Sequence, residues 1–178
     1  MSINFETVKN YLYSWASDNL PANTPVIFLY NNSPRPSTDY VTLNISSLVQ
    51  IGDDYIPRPT TTGGEIEMVG DREFTLQIGT YGGDCLTKLE DLRSSLQKTT
   101  VLDTLRANGL IFVQQFPIQD VTELVATRFE KRAQMDVLFR LAQTYDDTLG
   151  SIETVVVNEE FSNSESIVYE ETVTISIA

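Results

Sequence analysis

The sequence predicts an α+β domain: an antiparallel β-sheet packed with an N-terminal helix and a central helix pair, plus a C-terminal β-hairpin extension. Three patterns predict it. Phe129 to Leu141 sets Phe129, Lys131, Ala133, Met135, Val137, Phe139 and Leu141 at odd positions, all apolar but Lys131, against Glu130, Arg132, Gln134, Asp136 and, after Leu138, Arg140 at even ones. Period two over that length means one long strand with a buried face and a polar face. Apolar residues at three- and four-residue spacing mark a helix near the start and another in the middle of the chain. The last residues alternate β-branched with polar side chains, as a hairpin does. The long strand is the principal core element. A slip of one residue would put Met135 and Phe139 in water and Arg132 in the core, so its register is firmly fixed.

Asn4 is placed to cap a helix from about Phe5 to Asn19, with Phe5, Val8, Leu12, Trp15 and Ala16 as its apolar stripe, closed by Pro21 and Pro25. Val26 to Tyr30 is short and continuously apolar, the pattern of a strand buried on both faces. Asp39 to Gly52 reads as a strand with an irregularity near Ser46-Ser47. Two stiff loops flank it, Pro34-Arg35-Pro36-Ser37 and Pro57-Arg58-Pro59-Thr60, because X-Pro pairs hold the backbone extended and remove amide donors. They admit two readings, as docking loops carrying Arg35 and Arg58 to a partner or as ordinary connections. After a flexible Thr60-Gly64 loop, Glu65–Val69 and Arg72–Tyr81 read as two strand segments broken at Gly70-Asp71.

Gly82-Gly83-Asp84 opens a second helix with Leu86, Leu89, Leu92 and Leu96 inward and Asp84 as its cap. Glycines before a helix cradle phosphate in some proteins, but no Lys follows here at P-loop spacing. Cys85 reads as a small packing residue. Thr100-Val101-Leu102-Asp103 reads as a capping box for a short third helix ending at Asn108-Gly109. Leu110 to Phe116 is a strand, and Val121 to Val125 a helical turn leading into the long strand. Ile152–Val157, a turn at Phe161–Ser164 and Glu165–Ala178 make the terminal hairpin. This divides the chain at 1–150 and 151–178. A lone hairpin is marginally stable, so it should lie on its own sheet or add to a neighbouring subunit's edge.

Composition excludes several kinds of chemistry. The 178 residues contain no His and one Cys, which removes the commonest general base, the Ser-His and Cys-His pairs, and any internal disulfide or multi-cysteine metal site. The net charge is -13, and all 12 basic residues precede Leu141, whereas residues 141–178 carry 8 acids. Such a chain is a poor binder of nucleic-acid backbones, although it can surround DNA without gripping it. Acidic pairs at Asp53-Asp54, Glu65 with Glu67, Glu90-Asp91, Asp146-Asp147, Glu159-Glu160 and Glu170-Glu171 follow no calcium-loop spacing and read as solvated surface. The start of the chain lacks a signal-peptide pattern, and no stretch approaches the roughly 18 apolar residues of a membrane span. The expectation is a soluble protein with no membrane partner.

Four segments in order carry a family resemblance: Ser46-Ser47-Leu48-Val49-Gln50-Ile51-Gly52, Arg72-Glu73-Phe74-Thr75-Leu76, Leu89 to Gln97, and Thr127 to Val137, with Val121 to Val125 just before the last. Together they resemble the phage neck or tail terminator family of contractile-tailed phages over about residues 5 to 157. The resemblance implies a structural virion protein, not an enzyme, without cofactor or metal. It implies a homohexameric ring that caps the completed tail, ends tube and sheath polymerisation, joins the tail to the head-side connector, and lets DNA pass through its channel. Its place is then the virion neck, assembled in the host cytoplasm. On that basis the polar face of the long strand, Glu130, Arg132, Asp136 and Arg140, is the candidate subunit contact, with Arg35 and Arg58 on the docking loops. Two other readings stand beside it: a head-completion or connector ring protein, and a carboxylate- and metal-dependent hydrolase.

Overall fold

A computed structural model describes residues 3–30, 32, 34–58, 64–148, 154–162 and 167–176. The chain divides into two units: Ser2–Asp54 with Gly70–Gln143, which holds the core, and Tyr55–Val69 with Thr144–Ala178. Helix α1 spans Phe5–Asp18. Asn4 has extended backbone, and its Oδ1 accepts from the amides of Glu6 and Thr7 at 3.1 and 3.2 Å, satisfying two of the donors a helix start leaves over. Val8, Leu12, Trp15 and Ala16 are buried, as their spacing predicts. Asn19 ends the helix, its side-chain amide donating to the Trp15 carbonyl at 2.9 Å.

The sheet contains β1 (Val26–Phe28), β2 (Tyr40–Tyr55), β3 (Glu65–Tyr81), β4 (Ile111–Gln115), β5 (Gln119–Asp120) and, further along the chain, β8 (Arg132–Thr148). Its order is β1-β2-β3-β8-β4, with β5 also on β8. Strands β4 and β5 lie antiparallel to β8, whereas β1 lies parallel to β2, Val26 facing Val41. The expected doubly buried strand at Val26–Tyr30 is therefore a three-residue edge strand. Ile27 and Phe28 are only half-buried, and Tyr30 leaves at φ +61° with 91% of its surface exposed.

Alternation sets the core face of the sheet. Phe74, Leu76 and Ile78 of β3 and Ala133, Met135, Val137, Phe139 and Leu141 of β8 are buried together with Val41 and Leu43 of β2. Phe139 sits among three aromatic rings: Trp15 edge-on at 6.1 Å, Phe112 edge-on at 6.3 Å and Phe74 near-stacked at 5.7 Å. Each such buried side chain contributes roughly 1.5 to 3 kcal/mol. Helix α2 (Cys85–Ser95) and helix α3 (Thr99–Ala107) complete this core with Cys85, Leu89, Leu92 and Leu105, joined by Leu96 and Leu110 from their flanks.

Several expectations are corrected. Phe129 is not in the core: it is 76% exposed, and the long strand begins at Arg132. A turn with Ala126 at φ +57° joins β6 (Glu123–Val125) to β7 (Arg128–Glu130), so Phe129 belongs to a hairpin, facing Leu124. The helical turn expected at Val121–Val125 is thus mostly the first arm of that hairpin. No break occurs at Gly70-Asp71, where β3 runs through. Gly70 is instead a close approach, since a Cβ there would overlap the Asp54 carboxylate and the Arg72 guanidinium. Asp84 holds the N-cap position of α2, but it stands in left-handed backbone at φ +54° and its carboxylate makes no cap bond. Leu86 is half-exposed rather than core. Helix α3 starts one residue before Thr100, behind Lys98, so the capping box does not form, and Asp103 pairs with Arg106 at 3.1 Å.

The terminal hairpin joins β9 (Thr154–Ser162) and β10 (Ile167–Ser176), which pair antiparallel with Val157 facing Val173 and Glu160 facing Glu170. Phe161 and Ser162, expected in the turn, end β9. Parts of several sequence readings lie outside the described residues: residues 163–164 of the turn, residues 152–153, 165–166 and 177–178 of the hairpin arms, the flexible loop at residues 60–63, and the Pro59-Thr60 end of the second proline loop. Among the described residues no helix is long and apolar enough to cross a membrane.

Candidate functional site: a tyrosine–arginine cluster and the hairpin it holds

Tyr40 opens β2 and Tyr81 closes β3, and adjacent placement stacks their rings at 4.6 Å with 4° between planes. The Arg35 guanidinium lies 5.4 Å from the Tyr40 ring centre and 5.5 Å from that of Tyr81. Arg132, the first residue of β8, lies 5.4 Å from the Tyr81 ring. Cations over aromatic faces gain about 0.5–2 kcal/mol each, more where water is excluded. Tyr40 is buried, and that burial raises its phenol pKa against the opposing pull of Arg35, so the ring keeps its proton at neutral pH.

Two arginines this close repel unless an acid lies between them. Glu130 is that acid, since it pairs with Arg35 and with Arg132, whose Nε donates to Glu130 Oε2 at 2.8 Å. Arg132 also reaches Glu123 at 2.5 Å, so one guanidinium ties both arms of the β6–β7 hairpin to the start of β8. Two further bonds support the tie, the Val121 amide donating to the Arg132 carbonyl at 3.0 Å and the Arg132 amide to Thr122 Oγ1 at 3.4 Å. The Thr122 amide donates locally to Asp120 Oδ1 at 2.9 Å. The Thr122 hydrogen bonds lower the Asp120 pKa.

A second clamp lies beside the first. Lys88 is buried in α2, and its ammonium donates to Asp39 Oδ2 at 2.8 Å and to the Gly83 carbonyl at 2.7 Å. That hydrogen bond is the main cause of a lowered Asp39 pKa. Gly82 stands at φ +97°, where a Cβ would overlap the Asp39 carboxylate, and its amide donates to the Lys131 carbonyl at 3.0 Å. The glycine pair opening α2 is therefore a joint between three segments, and its neighbouring cation is committed to Asp39.

Held this way, the hairpin turns apolar side chains outward. Leu124 is 57% exposed, Val125 47% and Phe129 76%, adjoining the basic residues Arg128 and Lys131. The remaining candidate residues stand apart from this cluster. Arg140 pairs with Glu73 at 2.9 Å, and Asp136 lies between Arg132 and Arg140 on the same strand face. Asp136 Oδ1 and Arg140 Nε are buried without a hydrogen-bond partner among the described residues. Arg58 is exposed and belongs to the other unit. So the structure joins Arg35, Glu130 and Arg132, which sequence reasoning had assigned to two separate features. It adds Tyr40, Tyr81 and Glu123, which sequence reasoning missed. The acidic pair Asp53-Asp54 is also accounted for on one side, since Asp54 receives both terminal nitrogens of Arg72 at 2.7 Å.

This arrangement pins and presents a surface, and it contains no nucleophile–base pair. A family model described as phage neck terminator protein matches residues 6–176. The chain belongs to the phage neck terminator protein family. That family is structural, so this terminator is a tail component and not an enzyme. Among solved structures the terminator resembles the sheath/tube terminator of an extracellular contractile injection system (PVC), seen by cryo-EM in the extended state. The TM-score is 0.53 at 12% identity, covering 93% of this chain and 66% of that one. At that identity the likeness is one of fold. No curated protein matches the sequence.

Proposed function

We propose that this terminator assembles as a homohexameric ring that caps the completed tail of a contractile-tailed phage. The ring ends tube and sheath polymerisation, offers its other face to the head-side connector, and leaves a channel for DNA. It works in the virion neck, after assembly in the host cytoplasm. The observation that carries this reading is the family match along nearly the whole chain, residues 6–176. The fold shared with a sheath/tube terminator supports the contact with tube and sheath. A net charge of -13 supports a channel that repels phosphate and lets DNA slide.

A closed ring needs a heterologous interface, two different patches that meet head to tail. We assign Glu130 and Arg132, with Arg35, to holding the hairpin that forms one patch, and Asp136 and Arg140 to the same face further along β8. Arg58 belongs to the loop that meets a tail component. Residues 151–178 form an extension to the body at 1–150. Electron microscopy of the purified protein, alone and mixed with tails, tests the reading. Sixfold rings at the head-proximal tail end are expected. Rings that bind heads and not tails would instead make it a connector protein, and a monomer indifferent to tails would end the proposal.

A further inference from the structure

Charge in this chain is distributed so that one basic patch makes no ion pair among the described residues. Most of the 12 basic residues are paired: Lys9, Arg35, Arg72, Lys88, Arg93, Arg106, Arg132 and Arg140 all contact acids. Arg128 and Lys131 make no ion pair among the described residues, and Lys131 acts on Asp120 only through space. Arg128 precedes Phe129 in β7 and Lys131 follows that strand directly, near exposed Leu124 and Val125. An apolar patch rimmed by unpaired cations, rigidly held from behind, has the composition of a docking surface.

The complementary surface is on the same sequence. Residues 141–178 carry 8 acids and no base. The β9–β10 register sets Glu160 opposite Glu170 and Glu159 opposite Glu171. Such pairs destabilise a hairpin that is marginal already, unless cations neutralise them. We infer that the β6–β7 hairpin of one copy docks on the acidic β9–β10 hairpin of the next, with Phe129 as the apolar anchor and Arg128 and Lys131 facing the glutamates. The two patches differ, so the contact is heterologous and propagates head to tail, as a ring requires. This inference rests on the ring reading and names its contact.

The test places the photo-reactive residue p-benzoylphenylalanine at Phe129 in the full-length chain. Light and nitrogen-15-labelled copies are mixed and irradiated both free and bound to purified tails. Cross-linked peptides joining light to heavy chains and ending within residues 154–176 are the expected result. Cross-links only within one copy, only to tube or sheath protein, or absent from intact rings would overturn the contact while leaving the ring standing. A chain that stays monomeric in both settings would overturn both. In parallel, the double variant Arg128→Glu, Lys131→Glu should weaken self-association about tenfold or more, since two surface pairs turn from attraction to repulsion. Adding Glu159→Lys and Glu160→Lys should restore it. Rings as stable in the first variant as in the wild type would overturn the proposal, as would a failure of the second to recover association.

Discussion

Arg72 grips Asp54 with both terminal nitrogens at 2.7 Å each, across neighbouring strands β2 and β3, with little of either side chain exposed. Its third nitrogen donates to Gln143 Oε1 on β8 at 2.8 Å, so one guanidinium joins three strands. Removing one member of a desolvated, hydrogen-bonded pair leaves the other uncompensated, which costs about 3 kcal/mol. Asp54→Asn should lower the urea midpoint accordingly, with an unchanged slope. Gly70→Ala should cost about 1–3 kcal/mol, because the new methyl displaces the same pair. A midpoint shift near zero for both would show that the pair contributes nothing to the fold.

The Lys88–Asp39 contact makes stability depend on pH in a defined direction. The lowered pKa of Asp39 arises first from the Lys88 hydrogen bond, with burial opposing it. A carboxylate whose folded pKa lies below its unfolded value stabilises the fold above the unfolded pKa, about 3.9. That contribution is lost as pH falls through the folded value. Asp39 is nearly half exposed, so solvent limits the pair to about 1 kcal/mol. Asp39→Asn should therefore be less stable than the wild type by a constant amount from about pH 5 to 7, and the gap should begin to shrink below about pH 4. A gap that stays the same at pH 3 would mean that the charge on Asp39 is irrelevant.

Phe129 and Phe139 occupy equivalent places in the sequence pattern and opposite places in the fold, fully buried against 76% exposed for Phe129. Truncating Phe139 to alanine should cost about 3–5 kcal/mol, because it removes a ring packed against Trp15, Phe74 and Phe112. Phe129→Ser should shift the thermal midpoint little, since no core contact is lost. Equal destabilisation by the two would place Phe129 back in the core.

That contrast shows what the sequence makes legible. Burial along β8 and α1 follows from periodicity and is readable from Ala133 to Leu141 and at Val8, Leu12, Trp15 and Ala16. The hairpin at Glu123–Glu130 is not readable, because its turn at Ala126-Thr127 lacks the Gly, Asn or Asp that hairpin turns usually show. Its arms then borrow the pattern of the strand that follows. The site was half legible. Charges at Glu130 and Arg132 stood out, but their meeting with Arg35 depends on two strand ends placing Tyr40 against Tyr81, residues to which the sequence pattern assigns no role in a site. The Asn4 cap of α1 was legible, but the side-chain caps expected for α2 and α3 fail for a local reason, as left-handed backbone at Asp84 and an early start at Thr99 leave them unused.

Arg132 is where fold and proposed assembly separate experimentally. Its guanidinium holds Glu123 and Glu130 and lies over Tyr81, yet its side chain is about a quarter exposed, so each pair is worth no more than about 1 kcal/mol. Arg132→Glu puts a third carboxylate beside those two and leaves Arg35 as the nearest cation. The hairpin should then detach from β8 while the core beneath Met135 and Phe139 stays packed. Circular dichroism and near-ultraviolet signals should remain native, with a stability loss of about 1–2 kcal/mol. Protease cleavage between Glu123 and Lys131 should rise, and ring formation should fall with it. Arg132→Lys should be intermediate, since an ammonium can neutralise but cannot fork between two acids while lying flat on a ring. Normal rings from a well-folded Arg132→Glu protein would count against any role for the hairpin in assembly.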